Sequence, residues 1–456
     1  MSQAKNRRRF LQSAAAAAAA PMIVPSTVFG RTAPSNRVNL AAIGLGSRGA
    51  SNVWHDFVET QDDVRLVAAC DCFASRRTEF AARVDELYGG TYCEPTADWR
   101  DVLAREDVDG VIISTPDHWH VPLAHHAAEA KKDMYVEKPL GVSMDWAWEL
   151  RKAVARNEVV FQYGTQQRSS SEFTRAVELV RNGYIGKVNH VDAWCSGMRS
   201  PGDYARVFEE RFRDTESAPV PADLDYETWI GPAPMKPYTK SRCTEWGAYH
   251  IYDYALGFIA GWGAHPLDIA QWGLEMDHTS PVFYEGRGEI PEGGLFDTVD
   301  NWDVQCRYAN GVTLRFMGDQ VARERPGLMD DPRKRPYLDH GTTFWGEGGW
   351  ISVSRGFLYA RPKELQNTHV REDKSPIIRS SSQGRNFVES IKTRRPTINP
   401  LETAIRSDTI SHLSDISIRL GRTILWDPGT ETIVGDEEAA RMLDRPMREP
   451  WTISGV

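Results

Sequence analysis

A glycine-rich turn near the start of the chain has the residue types that bind a diphosphate. An apolar, strand-like stretch runs directly into the sequence GLGSRG. In this spacing Gly44 permits a tight strand-to-helix turn, Gly46 lets the backbone approach phosphates without a Cβ, and Gly49 lets the helix pack closely on the strand. The helix N-terminus offers unpaired N–H groups and a favourable dipole to an anion. We therefore expect Ser47 and Arg48 to lie with the three glycines at a dinucleotide pyrophosphate.

A second apolar stretch, Val64–Cys70, ends in Asp71, about twenty residues after the last glycine of the turn. A carboxylate at this position accepts hydrogen bonds from the adenosine ribose hydroxyls, and this favours NAD as the cofactor. Arg76 and Arg77 follow closely enough to hold a 2′-phosphate. NADP therefore stays an alternative.

The first 34 residues have the composition of an export signal. The arginines Arg7–Arg9 precede Phe-Leu-Gln, and a weakly apolar alanine run, Ala14–Ala20, follows. This pattern predicts a twin-arginine signal, too short to span a bilayer, with a disordered basic tail as the alternative. Because the twin-arginine machinery carries folded proteins, we expect a periplasmic or otherwise exported protein that leaves the cytoplasm with its cofactor tightly bound.

The composition of the chain excludes several classes of protein. A formal charge of -9 and a pI near 5.8 argue against nucleic acid as the main partner. No run after the signal is long and apolar enough for a transmembrane helix. The six cysteines lack metal-finger spacing, and we expect thiols if the chain folds before export.

Hydrophobic patterning predicts an α/β fold of two domains. Strands alternate with helices in residues 35–162, which predicts a Rossmann domain with a doubly wound parallel sheet. Longer alternating segments predict a second, α+β domain over residues 163–456, with an open, mainly antiparallel sheet. One helix is predicted over Pro122–Lys131, and another, Leu401–Leu420, is expected to pack back against the body. Because an open sheet leaves one face bare, we expect a homo-oligomer.

Four further segments carry a family resemblance: Ser114–His120, Glu137-Lys138-Pro139, Gly164–Arg168 and Gly263–Asp268. Together with the glycine-rich turn they resemble the glucose-fructose oxidoreductase and inositol dehydrogenase family (Gfo/Idh/MocA). The resemblance implies that Lys138 lies beside the nicotinamide and the substrate hydroxyl, often before a cis peptide at Pro139. It also implies that a group of neighbouring residues lines the cofactor site: Thr115, Pro116, His118, His120, Glu137 and Gln166.

A lysine in that position can exchange a proton with the reacting hydroxyl. Partial burial and the nicotinium charge both disfavour its ammonium form, so we expect a lowered pKa for Lys138. In the inositol dehydrogenases of the family, an aspartate in D-x-x-x-H completes a triad with this lysine. Here His265 is present, and the aspartate position is Gly261. His265 is the second predicted catalytic residue.

Other polar residues are candidates for substrate contact. Asp268 follows His265 on the same helical face and could orient it or bind substrate. Tyr252, Asp253 and Tyr254 are candidates to replace the missing carboxylate, with ordinary packing as the alternative. Arg168 lies in a segment expected to line the substrate pocket.

Paired histidines could suggest a metal site, and we predict none. His118 and His120 belong to the loop that the resemblance places at the nicotinamide ribose. The neighbours His125 and His126 point to different faces of a helix and do not share a metal easily.

Two classes of activity agree with these residues. The first is an oxidoreductase that moves a hydride between tightly bound NAD(P) and a sugar, inositol or sugar derivative. The second is a glycoside hydrolase or lyase of the same fold that oxidises the sugar transiently and recycles its cofactor. A third alternative, a non-catalytic binding protein, is disfavoured by the intact glycine-rich turn and Glu137-Lys138-Pro139.

Overall fold

A computed structural model describes residues 36–325, 328, 339–370 and 374–453. The arginines and alanines of the predicted export signal lie outside the described residues. Residues 38–456 form one compact unit, and the architecture below is that of this unit.

The first sheet has six strands in the order β3-β2-β1-β4-β5-β6, and all of its neighbours are parallel. The strands are β1 (Val38–Ile43), β2 (Val64–Cys70), β3 (Glu94–Thr96), β4 (Gly110–Ile113), β5 (Asp133–Val136) and β6 (Phe161–Tyr163). The strand order reverses between β1 and β4, and in such sheets a ligand binds at the carboxyl ends of the strands beside this reversal. The predicted doubly wound Rossmann sheet is confirmed.

Helices connect these strands. They are α1 (Ser47–Val53), continued by a π-helical turn (Trp54–Val58), α2 (Ala74–Tyr88), α3 (Trp99–Ala104), α4 (Asp117–Glu129) and α5 (Met144–Asn157). The prediction that a helix begins at Pro122 is wrong, since α4 begins at Asp117. Proline is unfavourable inside a helix because it lacks an N–H donor. The extra turn is stabilised by tertiary contact, since the Trp119 indole donates to the carbonyl of Trp229 at 3.2 Å.

The second sheet has nine strands in the order β13-β12-β11-β7-β10-β9-β8-β14-β15. The strands are β7 (Val188–Cys195), β8 (Phe283–Glu289), β9 (Asp300–Arg307), β10 (Thr313–Gly318), β11 (His340–Gly346), β12 (Gly349–Ser354), β13 (Phe357–Arg361), β14 (Ile424–Asp427) and β15 (Thr432–Ile433). β7 and β10 are parallel, and the other neighbouring strands are antiparallel. The predicted open, mainly antiparallel sheet is therefore confirmed.

Ten further helices accompany this sheet in the described residues. They are α6 (Ser171–Arg181), α7 (Asp203–Arg211), α8 (Tyr226–Ile230), α9 (Glu245–His250), α10 (Phe258–Gly261), α11 (Ala264–Gly273), α12 (Asp319–Glu324), α13 (Gln383–Thr393), α14 (Leu401–Leu420) and α15 (Glu437–Arg441). The helix α14 has the predicted bounds. Across the described residues, every helix is too short or too polar to cross a membrane.

Helix α14 is joined to the first sheet by a buried carboxyl group. Asp408 accepts a hydrogen bond from the backbone N–H of Leu140 at 2.5 Å and another from the Tyr163 hydroxyl at 2.7 Å. Burial raises the pKa of Asp408 to about 7, although both hydrogen bonds oppose the rise. Leu140 follows Lys138-Pro139, so this contact supports the loop that carries the predicted catalytic lysine.

We expect Asp408 to give the stability of the protein a specific pH dependence. Because its pKa in the fold, about 7, exceeds the unfolded value near 3.8, the folded state binds more protons between these values. The stabilisation from this group is complete below the unfolded pKa and is lost as pH rises through the folded pKa. The difference in melting temperature between Asp408→Asn and the native protein should therefore shift in favour of the variant between about pH 5 and about pH 8.

The matched control is Asp62→Asn, because Asp62 is exposed on the surface. Its difference in melting temperature from the native protein should stay constant over the same range. Calorimetry at both pH values measures these differences. A constant difference for Asp408→Asn would show that this carboxyl group does not titrate in the fold.

Candidate active site

The glycine-rich turn forms a backbone cradle that excludes side chains. Gly44 has a φ of +91°, and a Cβ there would lie 2.6 Å from the Ser114 carbonyl. A Cβ at Gly49 would lie 2.4 Å from the carbonyl oxygen of Gly44, where the helix packs on the strand. At Gly46, in contrast, a Cβ would only reach Arg76 Nη1 at 3.7 Å, so this position faces open space. The cradle therefore fits the pyrophosphate of a dinucleotide.

Asp71 lies buried at the end of β2 and lines the same cavity. Its Oδ2 accepts from the N–H of Leu45 at 2.7 Å and its Oδ1 accepts from the N–H of Phe73 at 2.8 Å. Burial raises the pKa of Asp71, and the nearby Arg76 opposes the rise. Arg76 lines the cavity with its guanidinium 3.9 Å from the Phe73 ring centroid, whereas Arg77 donates to the Asp71 carbonyl at 3.0 Å.

The cavity beside the cradle has a volume of about 540 Å³. Residues 223–249, which we call the covering segment, form its other wall and bind the nucleotide half at several points. The Ser75 hydroxyl donates to Asp223 at 2.5 Å, and the Ser47 hydroxyl donates to the carboxylate of Glu245. The cavity is thus enclosed between two parts of the chain that are distant in sequence.

Lys138 lies at the end of β5 in a cis peptide with Pro139, as the family resemblance implies. Its Nζ donates a hydrogen bond to the hydroxyl of Tyr249 at 3.3 Å, and Tyr249 lines the cavity. The predicted lowering of the pKa of Lys138 is wrong for the chain alone. Burial does lower it, but the acidic groups of Tyr249, Glu137 and Asp117 outweigh burial and raise the pKa of Lys138 above its ordinary value.

Glu137 is held in place by two amide side chains. Asn52 Nδ2 donates to its carboxylate at 2.6 Å and Gln166 Nε2 donates at 3.0 Å. Glu137 is 5% exposed. The structure therefore brings Glu137 and Gln166 together directly beside Lys138.

Two histidines near the start of α4, His118 and His120, support the same region. His120 contacts the carbonyl of Pro139 through Nδ1 at 2.7 Å and the carbonyl of Thr115 through Nε2 at 2.8 Å. His118 contacts the carbonyl of Trp229 through Nε2 at 3.1 Å. Burial lowers the pKa of both histidines to about 4, although their hydrogen bonds to backbone carbonyls oppose the decrease. Thr115 and Pro116 line the cavity. Within the described part of the chain, no group of three metal-ligating side chains occurs.

His265, at the start of α11, is 2% exposed. Its Nε2 lies 3.4 Å from Arg355 Nη2, and its Nδ1 has no hydrogen-bond partner among the described residues. Burial holds the pKa of His265 well below its ordinary value, and the charges of Arg355 and Lys138 lower it further. The imidazole is therefore neutral near pH 7.

The space opened by Gly261 is filled by Tyr249. A Cβ at Gly261 would lie 3.1 Å from Tyr249 Cε1 and 3.2 Å from its Cδ1. The glycine that stands where the inositol dehydrogenases of the family have aspartate thus leaves room for the tyrosine that contacts Lys138. Sequence reasoning missed Tyr249 because its pattern does not distinguish it from the aromatic residues beside it.

The predicted substrate residues are not brought into contact with Lys138. Tyr252 donates to Asp415 at 3.2 Å, and Asp253 pairs with Lys236 at 2.6 Å. Arg168 Nη2 binds Asp268 Oδ1 at 2.6 Å and Asp277 Oδ1 at 2.8 Å. These contacts favour structural roles for the four residues, and substrate contact stays a prediction.

Comparisons with known proteins cover both halves of the chain. The family model described as "Oxidoreductase family, NAD-binding Rossmann fold" matches residues 38–165. The model described as "Oxidoreductase family, C-terminal alpha/beta domain" of Gfo/Idh/MocA proteins matches residues 208–453.

Curated relatives match over a shorter stretch. "Glycosyl hydrolase family 109 protein" of Shewanella sp. (strain W3-18-1) is 30% identical over 171 residues, which are 37% of this chain and 37% of the relative. The protein of the same name from Shewanella pealeana is 30% identical over 187 residues, 40% of each chain. The chain thus spans about two fifths of the length of these curated relatives.

Solved structures share the whole fold. GenD2 from gentamicin A biosynthesis, in complex with NAD, is 18% identical with a TM-score of 0.58, and covers 86% of this chain and 97% of its own. Aldose-aldose oxidoreductase from Caulobacter crescentus is 18% identical with a TM-score of 0.58, and covers 85% and 99%. At this identity the likeness shows the fold alone. Because models of one family match both halves, the chain belongs to the Gfo/Idh/MocA oxidoreductase family.

Proposed function

We propose that the protein is an oxidoreductase that moves a hydride between NAD, which it retains, and a ring carbon of a sugar, an inositol or a sugar derivative. One observation carries this proposal: the Lys138 Nζ reaches the Tyr249 hydroxyl at 3.3 Å in the wall of a cavity that also contains Gly44 and Asp71. The dinucleotide cradle and Tyr249, the hydrogen-bond partner of Lys138, therefore line the same cavity. NADP is the alternative cofactor, since Arg76 lies beside Asp71 in that space.

The chain's own residues hold and move the proton of the reacting hydroxyl. Bound NAD would supply the hydride acceptor. Lys138 is positioned to bind and orient a substrate hydroxyl through its Nζ, and Tyr249 is hydrogen-bonded to the same atom. Burial raises the pKa of Tyr249, and Lys138 opposes the rise. Both groups therefore carry their protons near pH 7, so the pair can give a proton to a carbonyl oxygen in the reduction direction. To take the proton of a hydroxyl in the oxidation direction, the pair must first release one proton.

Retention of the cofactor is supported by the covering segment. Its contacts at Asp223 and Glu245 reach both the adenosine side and the pyrophosphate side of the cavity. Release of a dinucleotide would require these contacts to break. An enzyme that keeps its cofactor must regenerate it within each cycle, either with a second substrate or by returning the hydride to the first.

The second candidate function is cleavage of a glycoside with internal recycling of the cofactor. It is favoured by the Shewanella relatives, which are named "Glycosyl hydrolase family 109 protein". In this reaction, a ring carbon would give a hydride to bound NAD, and the acidified neighbouring C–H would lose its proton as the aglycone leaves. Water would then add to the double bond, and the hydride would return to the sugar. Lys138 and Tyr249 have the same role in both reactions.

The two candidates are separated by incubating the purified protein without added NAD. We expect mass analysis of the denatured protein to find NAD, and we expect a free aldose to give a matched pair of oxidised and reduced sugars. Release of nitrophenol from a nitrophenyl glycoside would favour the second candidate. Absence of a dinucleotide together with absence of both products would show that both candidates are wrong.

The Lys138–Tyr249 pair can be tested on whichever substrate is turned over. Lys138→Ala should lower turnover by about 10²-fold to 10⁴-fold, the usual effect of a positioned acid or base, and should keep the cofactor. Tyr249→Phe should lower turnover by about 10-fold or more and narrow its pH range. The exposed Lys152, replaced by alanine, is the matched control. Near-native turnover by Lys138→Ala would contradict the proposed role.

The space beside Gly261 allows a reciprocal test of Tyr249. Gly261→Asp should lower turnover as well, because the new side chain would push the Tyr249 ring away from Lys138. Combining Gly261→Asp with Tyr249→Ala gives the carboxylate room. Recovery of activity in this double variant, relative to Tyr249→Ala alone, would show that the two side chains serve one task.

We further propose that the protein is exported by the twin-arginine route to the periplasm. The proposal depends on Arg7–Arg9 and the alanine run after them. Replacing the three arginines by lysine should retain folded, cofactor-loaded protein in the cytoplasm, as measured by cell fractionation. An unchanged periplasmic fraction would rule out this route.

A further inference from the structure

Arg355 lies beside the predicted catalytic histidine, in the turn between β12 and β13. Its Nη2 is 3.4 Å from His265 Nε2, and its guanidinium carbon is 5.1 Å from the centroid of the Trp262 ring. The Trp262 ring also contacts His340, with centroids 5.1 Å apart. These contacts hold the Arg355 side chain beside His265 and Trp262.

Arg355 is exposed and, among the described residues, lacks the carboxylate partner that several other arginines of the chain have. Arg168, for example, binds Asp268 at 2.6 Å, and Arg199 binds Asp300 at 2.7 Å. In the described part of the chain, no carboxylate oxygen forms an ion pair with Arg355 or with Arg48. The five N–H donors of each guanidinium are therefore largely unused by the protein.

The acidic groups closest to Arg355 are already engaged elsewhere. Asp339 and Glu137 both act to raise the pKa of Arg355. Asp339 is bound to His340 Nδ1 at 3.1 Å, and Glu137 accepts from Asn52 at 2.6 Å. Burial and the charge of Arg48 outweigh these acidic groups, and the pKa of Arg355 lies below its ordinary value. The positive charges in this region are thus only partly compensated.

His265 offers a further unused donor. Because a guanidinium only donates hydrogen bonds, Nε2 of His265 accepts from Arg355, and the ring proton lies on Nδ1. This Nδ1 is buried and has no partner among the described residues. A buried N–H without an acceptor is costly, and an acceptor oxygen of a ligand would satisfy it.

We propose that Arg355, together with His265, binds an anionic group of the substrate, and that the substrate is an acidic carbohydrate. The group is a carboxylate, as in a uronic acid, or a sulfate or phosphate ester on a sugar. These groups share oxygen acceptors that match the planar donors of a guanidinium. The inference rests on the proposed function, because it assigns a substrate class to the same site. Arg48 belongs to the glycine-rich turn and is expected at the pyrophosphate of the cofactor, so Arg355 is the residue that tests the inference.

Calorimetric titration of the cofactor-loaded protein tests it without requiring turnover. The probes are matched pairs: D-glucuronate against D-glucose, D-galacturonate against D-galactose, and glucose 6-sulfate and glucose 6-phosphate against glucose. At least one acidic sugar should bind about tenfold or more tightly than its neutral partner, since hydrogen bonds between charged groups are the stronger ones. The uronate and ester probes identify which anion the site prefers. Equal binding of every pair, or no binding of any acidic probe, would overturn the inference.

Substitution of Arg355 separates its charge from general effects on the site. Arg355→Gln should reduce the affinity ratio of the acidic to the neutral sugar to about one, and Arg355→Lys should restore part of it. Arg287→Gln is the matched control, because Arg287 is 83% exposed and pairs with Asp303. Its ratio should equal that of the native protein. An unchanged ratio in Arg355→Gln would overturn the inference.

Failure of the inference and failure of the proposed function give different results. Absorbance of the retained cofactor near 340 nm reports hydride transfer from any sugar, acidic or neutral. Reduction by neutral sugars with an affinity ratio near one would overturn the acidic substrate alone. A high ratio without any change of the cofactor would overturn the oxidoreductase and leave the anion site in place.

Discussion

A half-buried, charged lysine is the constraint on which the rest of the site depends. Burial alone would lower the pKa of Lys138. Its pKa nevertheless lies above the ordinary value, because the effects of Tyr249 in the covering segment, Glu137 beside it and Asp117 at the start of α4 together outweigh burial. The reacting proton is thus shared by groups that only the folded chain brings together.

Several apparently structural residues serve this arrangement. The ring of His120 contacts the carbonyl of Pro139, and Asp408 accepts from the N–H of Leu140. These contacts hold the backbone on both sides of the peptide that follows Lys138. Gly261 contributes by having no side chain, since any Cβ there would crowd Tyr249. Substitution of one of these residues should therefore move the Lys138 side chain, although the substituted residue does not contact it.

The covering segment links the geometry of the site to the handling of the cofactor. It approaches the nucleotide half through Asp223 and Glu245 and places Tyr249 opposite Lys138. The covering segment therefore both forms a wall of the cavity and supplies Tyr249, the partner of Lys138. This coupling agrees with an enzyme that keeps NAD through many cycles.

The sequence by itself determined the features that depend on neighbouring residues. The glycine-rich turn, Asp71 after β2 and helix α14 followed from local spacing and hydrophobic periodicity, and the structure has them at the predicted positions. Short strands such as β13 and β15 depend on their pairing partners rather than on patterns of their own. Only the tertiary structure decided that Tyr249, 111 positions from Lys138, is its partner, and that Arg168 and Asp268 bind each other. The physical reason is that burial and charge pairing are set by residues distant in the chain, and no local pattern records which of them will meet.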